Sequence, residues 1–384
     1  MSSTAVFPHL ISTRFCPELF GEYLSYVPVM DLDACSRVCH YWREPALSAQ
    51  FRTVDVENKV QLALLSINPR RLHYVREVIG DSCSAFTTAF TSYPAHLRTL
   101  EIRDMDFIAT NNQINQAVVA FSPTITTFTI HSSLRMTYQD FCELLQCLVH
   151  CKSLRNLTFL PPARAIDDRS SSPERAVEAR NAIDAMAHIR EEKAKLAFLQ
   201  LIPMSYRRDP QYTGDAPHAQ EYGWLNAGVC PFDLSELETL VVGSASAAQI
   251  LLPAISKHLT RLEFCLPFDN RSAWTEYETL REAPIVLPSL RHLGLTFHIR
   301  PSNWLLDVIR TPALETICIK WSTSISYCTY EKQFRKIDKQ IARLDGHMFM
   351  FPEKLSKSCP DAQWRLQAFP FCSQYGVSIC SYSD

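Results

Sequence analysis

The hexapeptide LRTLEI at residues 97–102 carries apolar side chains at its first, fourth and sixth positions, Leu97, Leu100 and Ile102. The same spacing recurs at residues 51–56, 125–130, 154–159, 196–201, 237–242, 259–264, 290–295 and 314–319. Most neighbouring units lie 22 to 31 residues apart, and four of them follow a proline by two or three residues. This regularity indicates one repeating structural element.

Each unit predicts a short β-strand followed by a return segment. In a strand the fourth and sixth side chains point to the same side, and the first enters the core from the preceding turn. Stacked units then form a parallel sheet, whose strands need long, usually helical connections. The apolar spacing predicts such helices at 138–151, 247–258 and 304–310. The period is close to that of leucine-rich repeats, so we predict a leucine-rich-repeat-like solenoid over residues 51–328.

Among the longer intervals between units, two of about 41 residues predict insertions at 163–195 and 204–232. The first starts with a Ser-rich polar stretch at 164–174, expected to be mobile, and continues as an amphipathic helix at 176–195. In that stretch Ser172 precedes Pro173, which fits either a phosphorylation site or an unregulated surface turn. Beyond the last unit, a helix is predicted at 330–344 within a C-terminal cap at 329–384.

The pattern in residues 13–50 is helical. Pro17 suits the first turn of a helix that Pro28 ends. Asp31 suits the N-cap of a second helix reaching Trp42, and Pro45 suits the start of a third short turn. The large apolar residues of these helices exceed what about 35 residues can bury alone. We therefore expect another molecule or domain to cover part of their surface.

The same segment resembles an F-box. The resemblance rests on FCPELF at 15–20, LSYV at 24–27, DL at 31–32 and CSRVCHYWR at 35–43. F-boxes bind the Skp-type adaptor of cullin–RING ubiquitin ligases, and the downstream domain selects the substrate. The resemblance thus implies an adaptor-binding surface containing Pro17, Leu19, Leu24, Leu32, Val38 and Trp42. The alternative is that these helices only cap the repeat array.

The repeat units also predict a second surface. Residues between the buried apolar positions of each strand face outwards, on the concave side of such an array. Their charges are mixed in sign, which suits a protein or peptide ligand better than a polyanion. The candidate substrate contacts are Glu101, His131, Phe198, Gln200, Glu263, His292 and Lys320. The same positions also fit an ordinary solvated sheet face.

Composition argues against several other functions. A net charge of −2 gives no surplus to neutralise nucleic-acid phosphates, and nine glycines in 384 residues form no phosphate-binding loop. The cluster of Cys142, Cys147, His150 and Cys151 lacks paired zinc-ligand spacing, so buried thiols are expected instead. No apolar run approaches the ~20 residues that cross a bilayer, and residues 1–10 do not resemble a secretory signal. We expect no metal, cofactor or catalytic residue, and a cytoplasmic or nuclear location.

The sequence therefore predicts an α/β protein: an N-terminal three-helix F-box, a solenoid with a parallel sheet, and a C-terminal cap. The predicted function is a non-catalytic substrate receptor of a ubiquitin ligase, which binds a Skp-type adaptor and a protein substrate. One alternative is a repeat scaffold without a ligase connection. A second is an enzyme with its site in the insertion at 206–231.

Overall fold

The computed structural model describes residues 17–80, 96–103, 111–130, 138–159, 193–201, 223–226, 229–243, 245–255, 257–266, 284–297, 306, 308–321, 335, 338–341, 348–352 and 378–382. The protein is α/β, with a large parallel sheet and helices at its N-terminus. It divides into two compact units. The first comprises residues 1–134 and 150–154, and the second comprises residues 135–149 and 155–384.

Three helices open the first unit: α1 (Pro17–Ser25), α2 (Val29–Ser36) and α3 (His40–Phe51). We call them the helical module. Its core contains the buried residues Phe20, Leu24, Leu32 and Ala46, with Val27, Cys35, Trp42 and Ala49 packed against them. The rings of Phe20 and Trp42 meet edge to face, with centroids 5.1 Å apart, a geometry that aromatic pairs favour.

The helix boundaries differ from prediction in three places. Asp31 is not an N-cap, because α2 begins at Val29 after Pro28, and Asp31 lies in its first turn. The predicted second helix is interrupted between Ser36 and His40, so Trp42 belongs to α3. Pro45 does not open a separate turn but lies inside α3. Proline there removes a backbone hydrogen bond at a cost of about 3 kcal/mol, which burial of the following turn must offset.

The first unit continues with β1 (Thr53–Asp55), α4 (Lys59–Ile67), a 3₁₀ helix (Pro69–Tyr74), β2 (Glu77–Gly80), β3 (Thr99–Ile102), α5 (Asn111–Phe121) and β4 (Thr127–Ile130). The four strands are parallel and lie side by side in chain order. Three of them coincide with predicted units. The sequence did not predict β2, because its unit has Val75 and Val78 at the first and fourth positions but Gly80 at the sixth.

The second unit contains α6 (Tyr138–Leu148), β5 (Asn156–Phe159), β6 (Ala194–Lys195), β7 (Phe198–Leu201), a 3₁₀ helix (Gly223–Leu225), β8 (Phe232–Asp233), β9 (Thr239–Val242), α7 (Ala245–Ile255), β10 (Arg261–Leu266), β11 (Ile285–Val286), β12 (His292–Phe297), β13 (Ile309–Arg310), β14 (Thr316–Trp321), β15 (Met348–Pro352) and β16 (Ser378–Tyr382). Its parallel strands follow the order β5-β7-β9-β10-β12-β14-β15-β16. The short strands form two further parallel pairs, β6 with β8 and β11 with β13.

Burial confirms the predicted strand phase. In β3, β4, β5 and β7 the two apolar positions are buried and the alternating positions are half-buried. The first residue of a unit is also buried, as Leu97 and Leu154 show. This pattern places one face of the strands of each unit in its core. The large fully buried rings include Phe128 in the first unit and Phe159 and Phe264 in the second.

Several connecting segments differ from prediction. The helix predicted at 176–195 does not extend to its end, because Ala194–Lys195 is strand β6; residues 176–192 lie outside the described residues, as does the Ser-rich stretch with Ser172. The helix predicted at 304–310 gives way to strand at Ile309–Arg310. In the predicted cap, residues 335 and 338–341 are helical, and β15 and β16 add two parallel strands that the sequence did not predict.

Candidate functional site

The helical module has an exposed apolar surface. The described part of the chain exposes eleven large hydrophobic side chains, and seven of them lie in this short segment. They are Leu19, Tyr23, Tyr26, Val29, Met30, Val38 and Tyr41. We call them the apolar patch. An exposed apolar area concentrated in one small module is typical of an interaction site.

Helix α1 shows why this patch cannot be assigned to the module's own core. Phe20 and Leu24, one turn apart, point into the core, whereas their neighbours Leu19 and Tyr23 are 57% and 66% exposed. Tyr26, just beyond α1, continues this outer stripe and is 80% exposed. Helix α1 is apolar on two sides. The other helices of the module pack against the side that carries Phe20 and Leu24, and they leave the side that carries Leu19 and Tyr23 exposed to solvent.

The six residues predicted to face an adaptor fall into different environments. Leu19 and Val38 are exposed and belong to the apolar patch. Leu24 and Leu32 are buried in the module core, and Trp42 packs against that core. Leu24 and Leu32 were predicted to meet the adaptor, but the three helices enclose both side chains, so they present no surface to a partner. Pro17 begins α1.

The module is anchored to the start of the sheet. The buried side chain of Gln61 in α4 donates to the carbonyl of Gln50 in α3 at 2.9 Å and to that of Thr53 in β1 at 2.8 Å. Its amide oxygen accepts from the N–H of Asp55 at 3.2 Å. One side chain thus connects α3, β1 and α4.

A second anchor joins α3 to the 3₁₀ helix. The Tyr74 hydroxyl donates a hydrogen bond to the Glu44 carboxylate. Partial burial is the largest cause and this hydrogen bond the next, and they raise the pKa of Tyr74 to about 12. The folded state therefore favours the neutral hydroxyl that donates to Glu44. Nearby, the Arg71 guanidinium lies 5.2 Å from the centre of the Phe51 ring, within cation–π range. These contacts hold the module against the first strands and the 3₁₀ helix.

The predicted strand-face residues lie in both units and are considered separately. In the first unit, Glu101 is half-buried and accepts a hydrogen bond from Arg103 Nε at 2.8 Å. His131 lies outside the described residues. No further member of the predicted set belongs to the first unit.

In the second unit the strand register brings five predicted residues into three rows. One row runs Phe198, Thr239, Arg261, His292 across β7, β9, β10 and β12. The next runs Gln200, Val241, Glu263, Gly294 across the same strands. Lys320 of β14 pairs with Thr296 in a third row. The structure therefore places Phe198 with His292, and Gln200 with Glu263, on one strand face.

Sequence reasoning missed two members of the second row. Val241 occupies an outward position yet is 7% exposed, so this part of the face is covered. Gly294 lies beside Glu263, and an added Cβ would come 2.9 Å from Glu263 Cγ. The signal was present in the sequence, since a glycine inside a strand often marks a close approach.

Cysteine chemistry and metal binding gain no support from the geometry. Within the described ranges, no three His, Cys, Asp or Glu side chains are grouped closely enough to hold a metal ion. Burial raises the pKa of Cys147, and it raises that of Cys230 to about 11, so these thiols are protonated at neutral pH. Protonated thiols are poor nucleophiles and poor metal ligands.

Over its described residues, no helix combines the length and apolar character needed to span a membrane.

Comparison with known proteins assigns no family to this chain. The sequence matches no protein-family model, and it matches no curated protein.

Proposed function

We propose that this protein is a substrate receptor of a Skp–cullin–F-box type ubiquitin ligase. In this proposal the helical module docks the Skp-type adaptor, and the parallel-strand array, a leucine-rich-repeat-like solenoid, binds the protein destined for ubiquitination. The chain itself catalyses no step, and it works in the cytoplasm or nucleus. The F-box resemblance of residues 15–43 motivates the first part, and the repeating strand register motivates the second.

The observation that carries the proposal is the apolar patch on a module whose core is already filled. Burial of a large apolar side chain contributes roughly 1.5–3 kcal/mol, so burial of several patch residues would offset much of the entropy that association costs. Because Leu24 and Leu32 lie inside, they shape this surface rather than contact the adaptor. In this proposal the adaptor contacts the exposed residues of the patch, among them Leu19, Met30 and Val38.

The hydrogen bonds that anchor the module to the first strands would fix its orientation in a ligase. A receptor must hold its substrate in a fixed orientation to the adaptor, because the ubiquitin-transferring machinery lies on the adaptor side. Gln61 and the Tyr74–Glu44 pair connect the module to the first strands through direct hydrogen bonds. This arrangement favours a rigid link over a flexible tether.

Co-purification with a Skp-type adaptor tests the proposal. The full chain is co-expressed with the adaptor as wild type, Met30→Asp and Ile67→Asp. Met30 is 72% exposed in the patch and Ile67 is 78% exposed on α4, so both substitutions place a charge on a similarly exposed site. We expect Met30→Asp to lose the adaptor and Ile67→Asp to retain it.

Two results would contradict the proposal. A folded wild-type chain that does not retain the adaptor would favour the scaffold alternative. Retention of the adaptor by Met30→Asp, together with Leu19→Asp and Val38→Asp, would show that the patch is not the docking surface. Circular dichroism of each variant separates loss of binding from loss of folding.

A further inference from the structure

Three arginines stand at equivalent positions in the first unit. Arg52, Arg76 and Arg98 each immediately precede a strand, β1, β2 and β3. Their main chains form a ladder, since the Arg52 carbonyl accepts from the N–H groups of Arg76 and Glu77, both at 2.9 Å. The Arg76 carbonyl accepts from Arg98 and Thr99 at 2.7 and 3.0 Å. The three residues therefore follow one another at the strand spacing of about 4.8 Å.

The arginine side chains line an open groove at this end of the strands. Its volume is about 340 Å³. An adjoining depression of about 330 Å³ shares two of the arginines. The remaining lining residues are mostly hydroxyl-bearing: Ser48, Thr99 and Thr126 in the groove, Thr124 and Ser153 in the depression, with Glu77 and His96. We call both together the arginine groove.

The arginine groove carries unbalanced positive charge. Glu77 is the single acidic residue among its lining residues, and it lies 3.9 Å from Arg52 Nε. Arg76 donates from Nη1 to the carbonyls of His73 and Val75, which are neutral. Arg98 is exposed, and in the described structure its guanidinium has neither an acidic partner nor an acceptor. Three guanidinium groups against one carboxylate leave a surplus of positive charge on a chain whose overall charge is −2.

Two hydroxyl groups of this groove, those of Thr126 and Ser153, are only weakly engaged. The Thr126 hydroxyl donates to the Arg98 carbonyl at 3.3 Å, although that carbonyl already accepts the N–H groups of Thr126 and Thr127 at 2.8 and 2.9 Å. The Ser153 hydroxyl donates to the Pro123 carbonyl, also at 3.3 Å. Such long bonds are weak, so both hydroxyls can turn to a ligand at little cost.

We propose that the arginine groove binds a phosphorylated serine or threonine side chain of a partner protein. Guanidinium groups bind phosphate oxygens through paired, charge-assisted hydrogen bonds, and the groove offers them beside free-turning hydroxyls. A nucleic acid fits less well, because the described lining contains no Phe, Tyr or Trp on which a base could stack. This inference goes beyond the proposed function, since it does not require the adaptor.

Fluorescence anisotropy with the purified full chain tests this site. The probe is a fluorescein-labelled nonapeptide with two phosphoserines separated by one residue, compared with its unphosphorylated copy. We expect the phosphorylated probe to bind at least about tenfold more tightly, and Arg98→Glu to weaken it by about tenfold or more. The matched control is Arg291→Glu, because Arg291 is likewise exposed and immediately precedes a strand, β12. That variant should bind as wild type.

Four results would overturn the inference: equal affinity for both peptides, equal loss in both variants, displacement by inorganic phosphate as strong as by unlabelled phosphopeptide, or tighter binding of a ten-nucleotide single-stranded DNA. If Arg98→Glu does not fold, Arg98→Ala replaces it, with an expected loss of about fivefold or more. Unchanged affinity in Arg98→Ala would also overturn it. Because no adaptor is present in the assay, its outcome is independent of the test for ligase function.

Discussion

Gly294 on β12 lies directly beside Glu263 on β10, so closely that a Cβ at residue 294 would come 2.9 Å from Glu263 Cγ. The Glu263 carboxylate accepts a hydrogen bond from Arg261 Nε at 2.9 Å on the same strand. A glycine in a strand normally weakens it, because it gains backbone entropy on unfolding and packs no side chain. Here the glycine leaves the space that the Glu263 side chain occupies.

The first prediction concerns Gly294→Ala. The new methyl group must displace Glu263 Cγ, so we expect a loss of about 1–3 kcal/mol in the free energy of unfolding. Glu263→Ala removes Cγ, and in that background the Gly294→Ala substitution should cost less than half as much. Urea denaturation of the wild type, both single variants and the double variant measures this. Additive effects of the two substitutions would show that the close contact is not responsible.

The second prediction concerns the strand phase. Leu240 and Leu293 are buried, whereas Thr239 and His292 precede them on the outward side. Truncation of either leucine to Ala should cost roughly 2–5 kcal/mol through lost burial and a new cavity. The Thr239→Ala and His292→Ala variants should stay within about 0.5 kcal/mol of wild type. Equal sensitivity of the two pairs to thermal denaturation would contradict the assigned phase.

How far the sequence determined these features depends on the residue type at the repeat positions. Where all three apolar positions are filled, as in residues 97–102, spacing alone located the strand. It failed at β2, because Gly80 replaces the sixth apolar side chain. It failed also at β15, whose sequence MFMFP has no polar alternation to separate an inner from an outer face. In both cases the strand follows from pairing with its neighbours, which local sequence does not encode.

In the candidate site, too, the sequence predicted one part and left the other undecided. Helical periodicity correctly located apolar residues of the module, but it did not decide which of them point inwards. Leu19 and Leu24 both belong to apolar stripes of α1, yet one is exposed and the other is buried. That difference arises from the packing of α1 against α3, which fills the side of α1 that carries Leu24. Only tertiary structure could separate the two.

The third prediction concerns pH dependence. Burial and the bond to Glu44 raise the pKa of Tyr74 from its usual value of 10.0 to about 12. A raised pKa means that the folded state favours the neutral tyrosine, so this stabilisation is complete below pH 10 and is lost as the pH rises towards 12. Tyr74→Phe should therefore flatten the decline in stability between pH 10 and 12. The measurement is the urea midpoint of both proteins across that range.

Glu44→Gln provides the control for that experiment. It removes the negative charge that opposes ionisation of Tyr74 and weakens the hydrogen bond that holds the neutral hydroxyl. The pKa of Tyr74 should then shift back towards its usual value, and the decline in stability should become shallower than in the wild type. An identical pH profile in all three proteins would show that the Tyr74–Glu44 pair does not influence stability.

The fourth prediction concerns Gln61, a residue that is 4% exposed and whose side-chain amide bonds to three backbone groups. It donates to the carbonyls of Gln50 and Thr53, and it accepts from the N–H of Asp55. Gln61→Leu preserves the volume approximately but leaves those groups without this partner. A buried polar group deprived of its partner costs about 1–3 kcal/mol, so we expect a total loss of about 3 kcal/mol or more in the free energy of unfolding.

Gln61→Glu tests the same three hydrogen bonds by keeping the acceptor oxygen and removing the donor N–H groups. A carboxylate can still accept from Asp55 N–H, but it cannot donate to the two carbonyls and would repel them, so this variant should be at least as destabilised as Gln61→Leu. The matched control is Gln116→Leu on α5, where the side chain is exposed and the expected change is within about 0.5 kcal/mol. Because Gln61 joins α3 to β1 and α4, hydrogen exchange in Gln61→Leu should accelerate first in these three elements. Uniform acceleration throughout the first unit would mean that Gln61 contributes to general stability without specifically anchoring the helical module.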